Sequence, residues 1–257
     1  MTKAKRKKKR KKGIHVPRPI FILIILISIV VAIYITLSLT NTPSSDGELK
    51  AAILDSLYVM DPNQDFLNRV NQTLTSAGYK VDIYLGEYVS VELFKNLPSL
   101  GYKFIVLRVH TAYDPDLVVF FTGSYADSEY FYERMLGWVR IGDAWGQHFY
   151  AITPRLIKEA TGRVMFQDSI IIIDSCFGLN STSMAQAFIE KGASTYIAWD
   201  QGVYSYYSDE ATLILIENLL EGMTIKEAID ETPKDPDLGS ILSHYPISGG
   251  ENKLHED

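Results

Sequence analysis

Short apolar runs alternate with amphipathic stretches from about residue 50 to residue 232 of this chain. The apolar runs are rich in β-branched and aromatic residues, which is typical of strands. The predicted strands are 51–58, 79–85, 102–109, 117–122, 169–174 and 195–199. The predicted helices are 65–77, 89–97, 153–161, 183–191, 209–220 and 225–230. This alternation predicts an α/β fold in which a mostly parallel sheet is sandwiched by helices.

Two of these predictions depend on clear patterns. In the first helix, Phe66, Val70 and Leu74 recur at helical spacing, and Gly78 ends the pattern. In the strand 169–174, four consecutive isoleucines predict burial on both faces of a parallel sheet. Residues 124–150, rich in Tyr, Trp and Gly, show no clear period. Residues 233–257 are polar and predict a C-terminal tail outside the domain.

The N-terminal part of the chain has a different pattern. Residues 20–39 carry no formal charge and, as a helix, are long enough to cross the roughly 30 Å hydrocarbon core of a bilayer. A cleaved signal peptide is the alternative. The run is longer than a signal peptide needs, however, and no A-x-A cleavage site follows it. We therefore expect one uncleaved transmembrane helix that anchors the protein in the cell membrane.

The charge distribution predicts how the chain is oriented. Residues 1–19 contain ten Lys or Arg and no acidic residue. Such a block can bind nucleic acid, but directly before a transmembrane helix it more commonly sets the topology. We expect 1–19 in the cytoplasm, 40–49 as a linker, and a globular domain 50–232 outside the cell. Residues 20–257 contain the other 15 basic residues and all 31 acidic ones. This excess of acidic residues argues against nucleic acid as a partner of the domain.

Two reactive side chains follow predicted strands. Cys176, the only cysteine, comes two residues after the isoleucine-rich strand, and His110 directly follows the strand 102–109. If the two strands are neighbours, both side chains reach the same edge of the sheet. A thiol beside an imidazole forms a nucleophile–base pair, because the thiolate attacks and the imidazole carries the proton. Each residue alone is more commonly structural, so it is their joint placement that indicates a site.

Four stretches carry a family resemblance. VLRVHT is followed by IIIIDSCFG, then by MAQAFIEKGASTYIAWD, and then by EGMTIKEAI. In this order they resemble the caspase-like cysteine peptidases, the group of caspases, metacaspases, gingipains and CHAT domains. The resemblance covers residues 102–229. It implies a caspase-like fold, endopeptidase activity on a protein or peptide substrate, and no cofactor.

The resemblance also implies a role for four positions. Cys176 matches the nucleophile, and His110 matches the general base and acid. Asp174 matches the position that contacts the P1 side chain, where an Asp suits Arg or Lys because a carboxylate in a dry pocket prefers a cation. Thr111 follows the histidine, at a position whose N–H helps to bind the oxyanion.

Some residues depart from the family pattern and leave alternatives open. Thr111 stands where the family usually has Gly, and Phe177 and Gly178 replace the more usual small pair after the cysteine. The main alternative is therefore a catalytically inactive caspase-like module that binds or scaffolds outside the cell. A third interpretation is a receptor or assembly role for the acidic domain. Asp174 is equally well explained as a cap at the end of its strand.

Other candidate chemistry is weaker. His148, in the stretch AWGQHFYAI, is a second candidate for the base. The sequence contains no H-E-x-x-H motif, no cysteine pair and no histidine cluster, so it predicts no metal site. It also contains no glycine-rich phosphate-binding loop of the kinds that bind nucleotides.

Overall fold

Strands and helices alternate through the computed structural model, which describes residues 49–114, 116–160 and 162–254 together with Ile27. The strands are β1 Lys50–Asp55, β2 Lys80–Leu85, β3 Phe104–Arg108, β4 Thr111–Asp114, β5 Leu117–Tyr125, β6 Val139–Ala144, β7 Gln147–Ile152, β8 Ser169–Asp174, β9 Ala193–Trp199 and β10 Leu242–Tyr245. The α-helices are α1 Gln64–Ser76, α2 Val91–Asn96, α3 Phe131–Met135, α4 Ser183–Glu190, α5 Ser205–Leu220 and α6 Ile225–Glu231, and a π-helix spans Leu156–Ala160.

Six of these strands form the larger sheet, in the order β10-β9-β8-β3-β1-β2. All neighbours in it are parallel except β10, which pairs antiparallel with β9. The predicted mixed α/β fold with a largely parallel sheet flanked by helices is therefore confirmed. The order makes β3 and β8 direct neighbours, although 60 residues separate the end of one from the start of the other along the chain.

The core lies on both faces of this sheet. Ile170 and Ile172 pack on one face against α1, α5 and α6. Ile171 and Ile173 pack on the other face against α2, α4 and the π-helix. Successive side chains of a strand point to opposite faces, so a strand covered on both sides is apolar at every position. This is the physical reason for the run of isoleucines.

A smaller antiparallel sheet, in the order β4-β5-β7-β6, is inserted between β3 and β8 along the chain. Most of the region 124–150, which shows no clear period in the sequence, belongs to this sheet and to the helix α3 between β5 and β6. β6 is mostly exposed, so its apolar alternation is weak. The predicted strand 117–122 continues to Tyr125 and pairs with β4 on one side and β7 on the other.

Three segments differ from the sequence prediction. The predicted helix 153–161 is a π-helix at Leu156–Ala160. The helix predicted at 209–220 begins at Ser205. The predicted polar tail 233–257 contributes β10, so the folded part continues past residue 232. An edge strand with one apolar inward residue, Leu242, leaves too weak a pattern in the sequence to be recognised.

The predicted transmembrane helix 20–39, the basic tail 1–19 and most of the linker 40–49 lie outside the described residues, apart from Ile27 and Leu49. Within the part of the chain that the structure describes, no helix is long and apolar enough to cross a membrane.

Candidate active site

The carboxyl ends of β3 and β8 bring the predicted site residues to one edge of the large sheet. Arg108, the last residue of β3, is in register with Asp174, the last residue of β8. His110 and Cys176 each follow two residues later. His110, Cys176 and Asp174 all line one cavity of about 400 Å³. The remaining walls are formed by the segment after β1, the β6–β7 turn and the start of α5. Lining residues from these segments are Leu57, Met60, Asp61, Trp145, Val203, Ser205 and Ser208.

The Cys176 thiol is half-buried and is held by the backbone of Val203, two residues before α5. Its Sγ donates a hydrogen bond to the Val203 carbonyl at 3.1 Å and accepts one from the Val203 N–H at 3.4 Å. Among the described residues, Sγ makes no hydrogen bond to His110. The first contact suits the neutral thiol, whereas the second would stabilise a thiolate.

His110 is half-buried between two aromatic rings. Its imidazole lies 4.8 Å from the Phe121 ring, nearly edge to face, and 5.0 Å from the Trp145 ring, measured between centroids. Its carbonyl accepts a hydrogen bond from the Phe121 N–H at 2.8 Å, which ties the histidine backbone to β5. Burial lowers the pKa of His110. A histidine with a lowered pKa is neutral near pH 7, as a general base must be.

Thr111, the first residue of β4, is buried and does not line the cavity. Its hydroxyl donates to the Cys176 carbonyl and accepts from the Ser175 hydroxyl at 3.0 Å. The side chain therefore fixes the loop that carries the cysteine, directly beside the loop that carries His110.

A row of charged residues lies beneath the cavity. Asp55, Arg108 and Asp174 end three adjacent parallel strands in register, so their side chains share the α1/α5 face of the sheet. Arg108 is 1% exposed. It donates to Asp209 of α5 at 2.7 and 3.1 Å, to both oxygens of Asp55 at 3.3 and 3.4 Å, and to Asp61 at 3.1 Å. One guanidinium thus faces four carboxyl groups.

The excess of carboxyl groups shifts their proton affinities. Burial raises the pKa of Asp55 to about 6, although the Arg108 charge lowers it. Burial also raises the pKa of Asp174, and the neighbouring Asp209 carboxylate raises it further, against the opposing charge of Arg108. Oδ2 of Asp174 has no hydrogen-bond partner among the described residues. Because Asp174 lines the cavity, its carboxyl group is a candidate partner for a cationic group, in competition with the neighbouring Asp209 and Ser208 side chains.

The sequence reasoning missed Arg108, Asp55 and Asp209. A signal was present, because Arg108 interrupts the otherwise apolar run FIVLRV. A charged residue in a buried strand needs a buried partner of opposite charge. The sequence did not show which acid supplies it, because Asp209 is 101 residues away.

His148, the weaker candidate for the base, lies on β7 away from the cavity. It is mostly exposed, and its Nδ1 lies beside the Asp143 carboxyl group of β6. Within the described residues, no group of three or more His, Cys, Asp or Glu side chains is arranged to hold a metal ion. No protein-family model matches the chain, and no curated protein matches its sequence.

Proposed function

We propose that this protein is a membrane-anchored cysteine endopeptidase of caspase-like fold, with Cys176 as nucleophile and His110 as general base and acid. One observation carries the proposal: Cys176, His110 and Asp174 line a single cavity at the carboxyl edge of the parallel sheet. The anchor is the apolar segment 20–39. The substrate is a protein or peptide, and the domain acts outside the cell.

The chemistry assigned to the dyad is acyl transfer to sulfur followed by hydrolysis. His110 takes the proton of the Cys176 thiol, and the sulfur attacks the scissile carbonyl to form a C–S bond. The backbone N–H of Cys176, which lines the cavity, is proposed to hold the oxyanion; the resemblance implies the N–H of Thr111 for the same role, but Thr111 does not line the cavity. The C–N bond then breaks as His110 gives its proton to the leaving amine. His110 then removes a proton from water, and the water oxygen attacks the thioester carbonyl. The C–S bond breaks, and His110 gives that proton to the departing Cys176 sulfur.

The charges around the cavity favour Arg or Lys at P1. Asp174 and Asp61 both line the cavity, and Asp61 is half exposed at its rim. A cation that enters the cavity meets more carboxyl groups than Arg108 can balance. The cationic P1 side chain would form an ion pair with Asp174 and thereby stabilise its ionised form.

A second function has one observation in its favour. Both hydrogen bonds of the Cys176 sulfur are made with the backbone of Val203. Among the described residues, the sulfur makes no hydrogen bond to His110. This arrangement favours a caspase-like module without catalysis that binds a partner outside the cell. It does not exclude the enzyme, because the hydrogen bonds of a dyad often tighten only when substrate binds.

Labelling with an arginine acyloxymethyl ketone distinguishes the two functions. The full-length protein in detergent, Cys176→Ala and His110→Ala are incubated with the probe, and the labelled fraction is measured by intact mass. The peptidase predicts labelling of the wild type that is lost in both variants. Labelling that persists in His110→Ala would remove His110 from the mechanism. Absence of labelling in a folded wild type would favour the binding module.

A further inference from the structure

Trp145 occupies a turn position that does not suit its side chain. Ala144 pairs with Gln147, so β6 and β7 are joined by the two residues Trp145 and Gly146. Their φ angles are 51° and 73°, the pattern of a type I′ turn, which favours Asn, Asp or Gly at both positions. A bulky side chain is strained in this backbone region. Local backbone preference therefore does not explain the tryptophan.

Burial does not explain it either. The Trp145 side chain is 52% exposed, so it is not part of the hydrophobic core. Its ring instead lies 5.0 Å from the His110 ring. It lines both the main cavity and a smaller, mostly apolar pocket on which His110 also borders, together with Phe121 and Phe149.

His110 has no polar group to orient its ring. In the described part of the chain, neither ring nitrogen has a hydrogen-bond partner, whereas a catalytic histidine is usually oriented by a third group. The neighbours that fix the ring are Phe121, in the core, and Trp145, at the surface. We propose that Trp145 is a positioning residue whose indole caps the His110 imidazole, fixes its orientation and shields it from water. The catalytic consequence rests on the proposed function, but the cap itself does not.

Other titratable groups near His110 can also influence its pKa. Asp61 faces the cavity from the segment after β1, and Asp174 and Cys176 face it from the end of β8. Asp143 and His148 lie on the strands beside the turn and pair with each other. Because burial is the cause that lowers the pKa of His110, removing the indole should raise this pKa toward the ordinary histidine value.

Trp145→Asn is the decisive variant, because Asn-Gly is the preferred sequence for this turn. The substitution removes the indole, and asparagine adopts the backbone conformation of this turn more readily than tryptophan does. The chain has five histidines. Their ring resonances are followed by NMR as a function of pH in the full-length protein in detergent, and His110→Gln assigns the His110 signal. Trp145→Phe is the conservative variant, and Tyr132→Ala, which removes an exposed aromatic ring outside the cavity, is the control.

The expected result is an upward shift of the His110 pKa in Trp145→Asn, a smaller shift in Trp145→Phe and none in Tyr132→Ala, with a Tm for Trp145→Asn equal to or above that of the wild type. An unchanged His110 pKa in Trp145→Asn, or a lower Tm without a pKa shift, would overturn the cap and leave a structural role for the turn. The titration needs no catalysis, so it decides this point even if the probe labels nothing. If the wild type is labelled, the acidic limb of the labelling rate should move upward in Trp145→Asn.

Discussion

The hydroxyl of Thr111 donates a hydrogen bond to the carbonyl of Cys176. Thr111 directly follows His110, so this bond joins the two loops that carry the proposed dyad. A glycine, the residue usual at this position in the family that the sequence resembles, could not form it. The departure from the family pattern therefore supplies a contact of its own.

Removing that hydroxyl should slow the proposed chemistry more than it destabilises the fold. Thr111→Val keeps the shape but deletes both hydrogen bonds of the hydroxyl, to the Cys176 carbonyl and from the Ser175 hydroxyl. The loss of a typical bond, about 1 kcal/mol, corresponds to roughly a fivefold lower labelling rate, so a decrease of at least this size is expected. Thr111→Ser should retain the wild-type rate. The rate constant for labelling by the arginine probe checks this, with Tm as the measure of stability. Equal rates for the Val and Ser variants would contradict the prediction.

Arg108 should be essential for stability because it donates to the buried carboxyl groups of Asp55 and Asp209 and its charge opposes that of Asp174. Removing one partner of a buried ion pair typically costs about 3–5 kcal/mol. We expect Arg108→Met to lower the free energy of unfolding by about this amount in urea at pH 7. Arg69→Met, which breaks the exposed pair with Glu210, is the matched control and should change little. Similar decreases in the free energy of unfolding for both variants would show that burial of the Arg108 ion pairs does not matter for stability.

The raised pKa of Asp55, about 6, predicts a specific pH dependence. Between the ordinary value of 3.8 and about 6, the folded protein holds a proton at Asp55 that the unfolded chain has released. The free energy of unfolding therefore falls as pH rises through this window. The raised pKa of Asp174 acts in the same direction.

Asp55→Asn should make this slope shallower, because the amide cannot ionise. Urea unfolding at several pH values between 4 and 7 measures the slope, and Asp65→Asn, at an exposed position of α1, controls for the loss of one carboxyl group. Parallel curves for Asp55→Asn and the wild type would refute the assignment.

Asp174 should decide between a cationic and a neutral P1 side chain. Probes that carry arginine or its neutral isostere citrulline differ mainly in charge. A charge-assisted hydrogen bond of about 1.5–3 kcal/mol predicts that the wild type prefers the arginine probe by roughly 10- to 150-fold. Asp174→Asn should lose most of this preference. It should remain folded, because the amide relieves the repulsion from Asp209. A preference that survives in the variant would assign P1 recognition elsewhere, with Asp61 as the next candidate.

The elements with strong patterns could be predicted from the sequence. The isoleucine run set β8 to the residue, because the interior positions of a strand covered on both faces are apolar. The spacing of Phe66, Val70 and Leu74 set the apolar face of α1. The positions of Cys176 and His110 just after strands also located the candidate site, since parallel strands present their carboxyl ends at one edge.

The order of the strands and the surroundings of the site became visible in the folded structure alone. The adjacency of β3 and β8 placed Arg108 opposite Asp174 and beside Asp55, and the packing of α5 added Asp209 from 101 residues away. It also placed Trp145, from a region without a readable period, on the ring of His110. Local patterns determine which face of an element is buried. Contacts between distant residues depend instead on the order of strands in the sheet, and local periodicity does not encode that order.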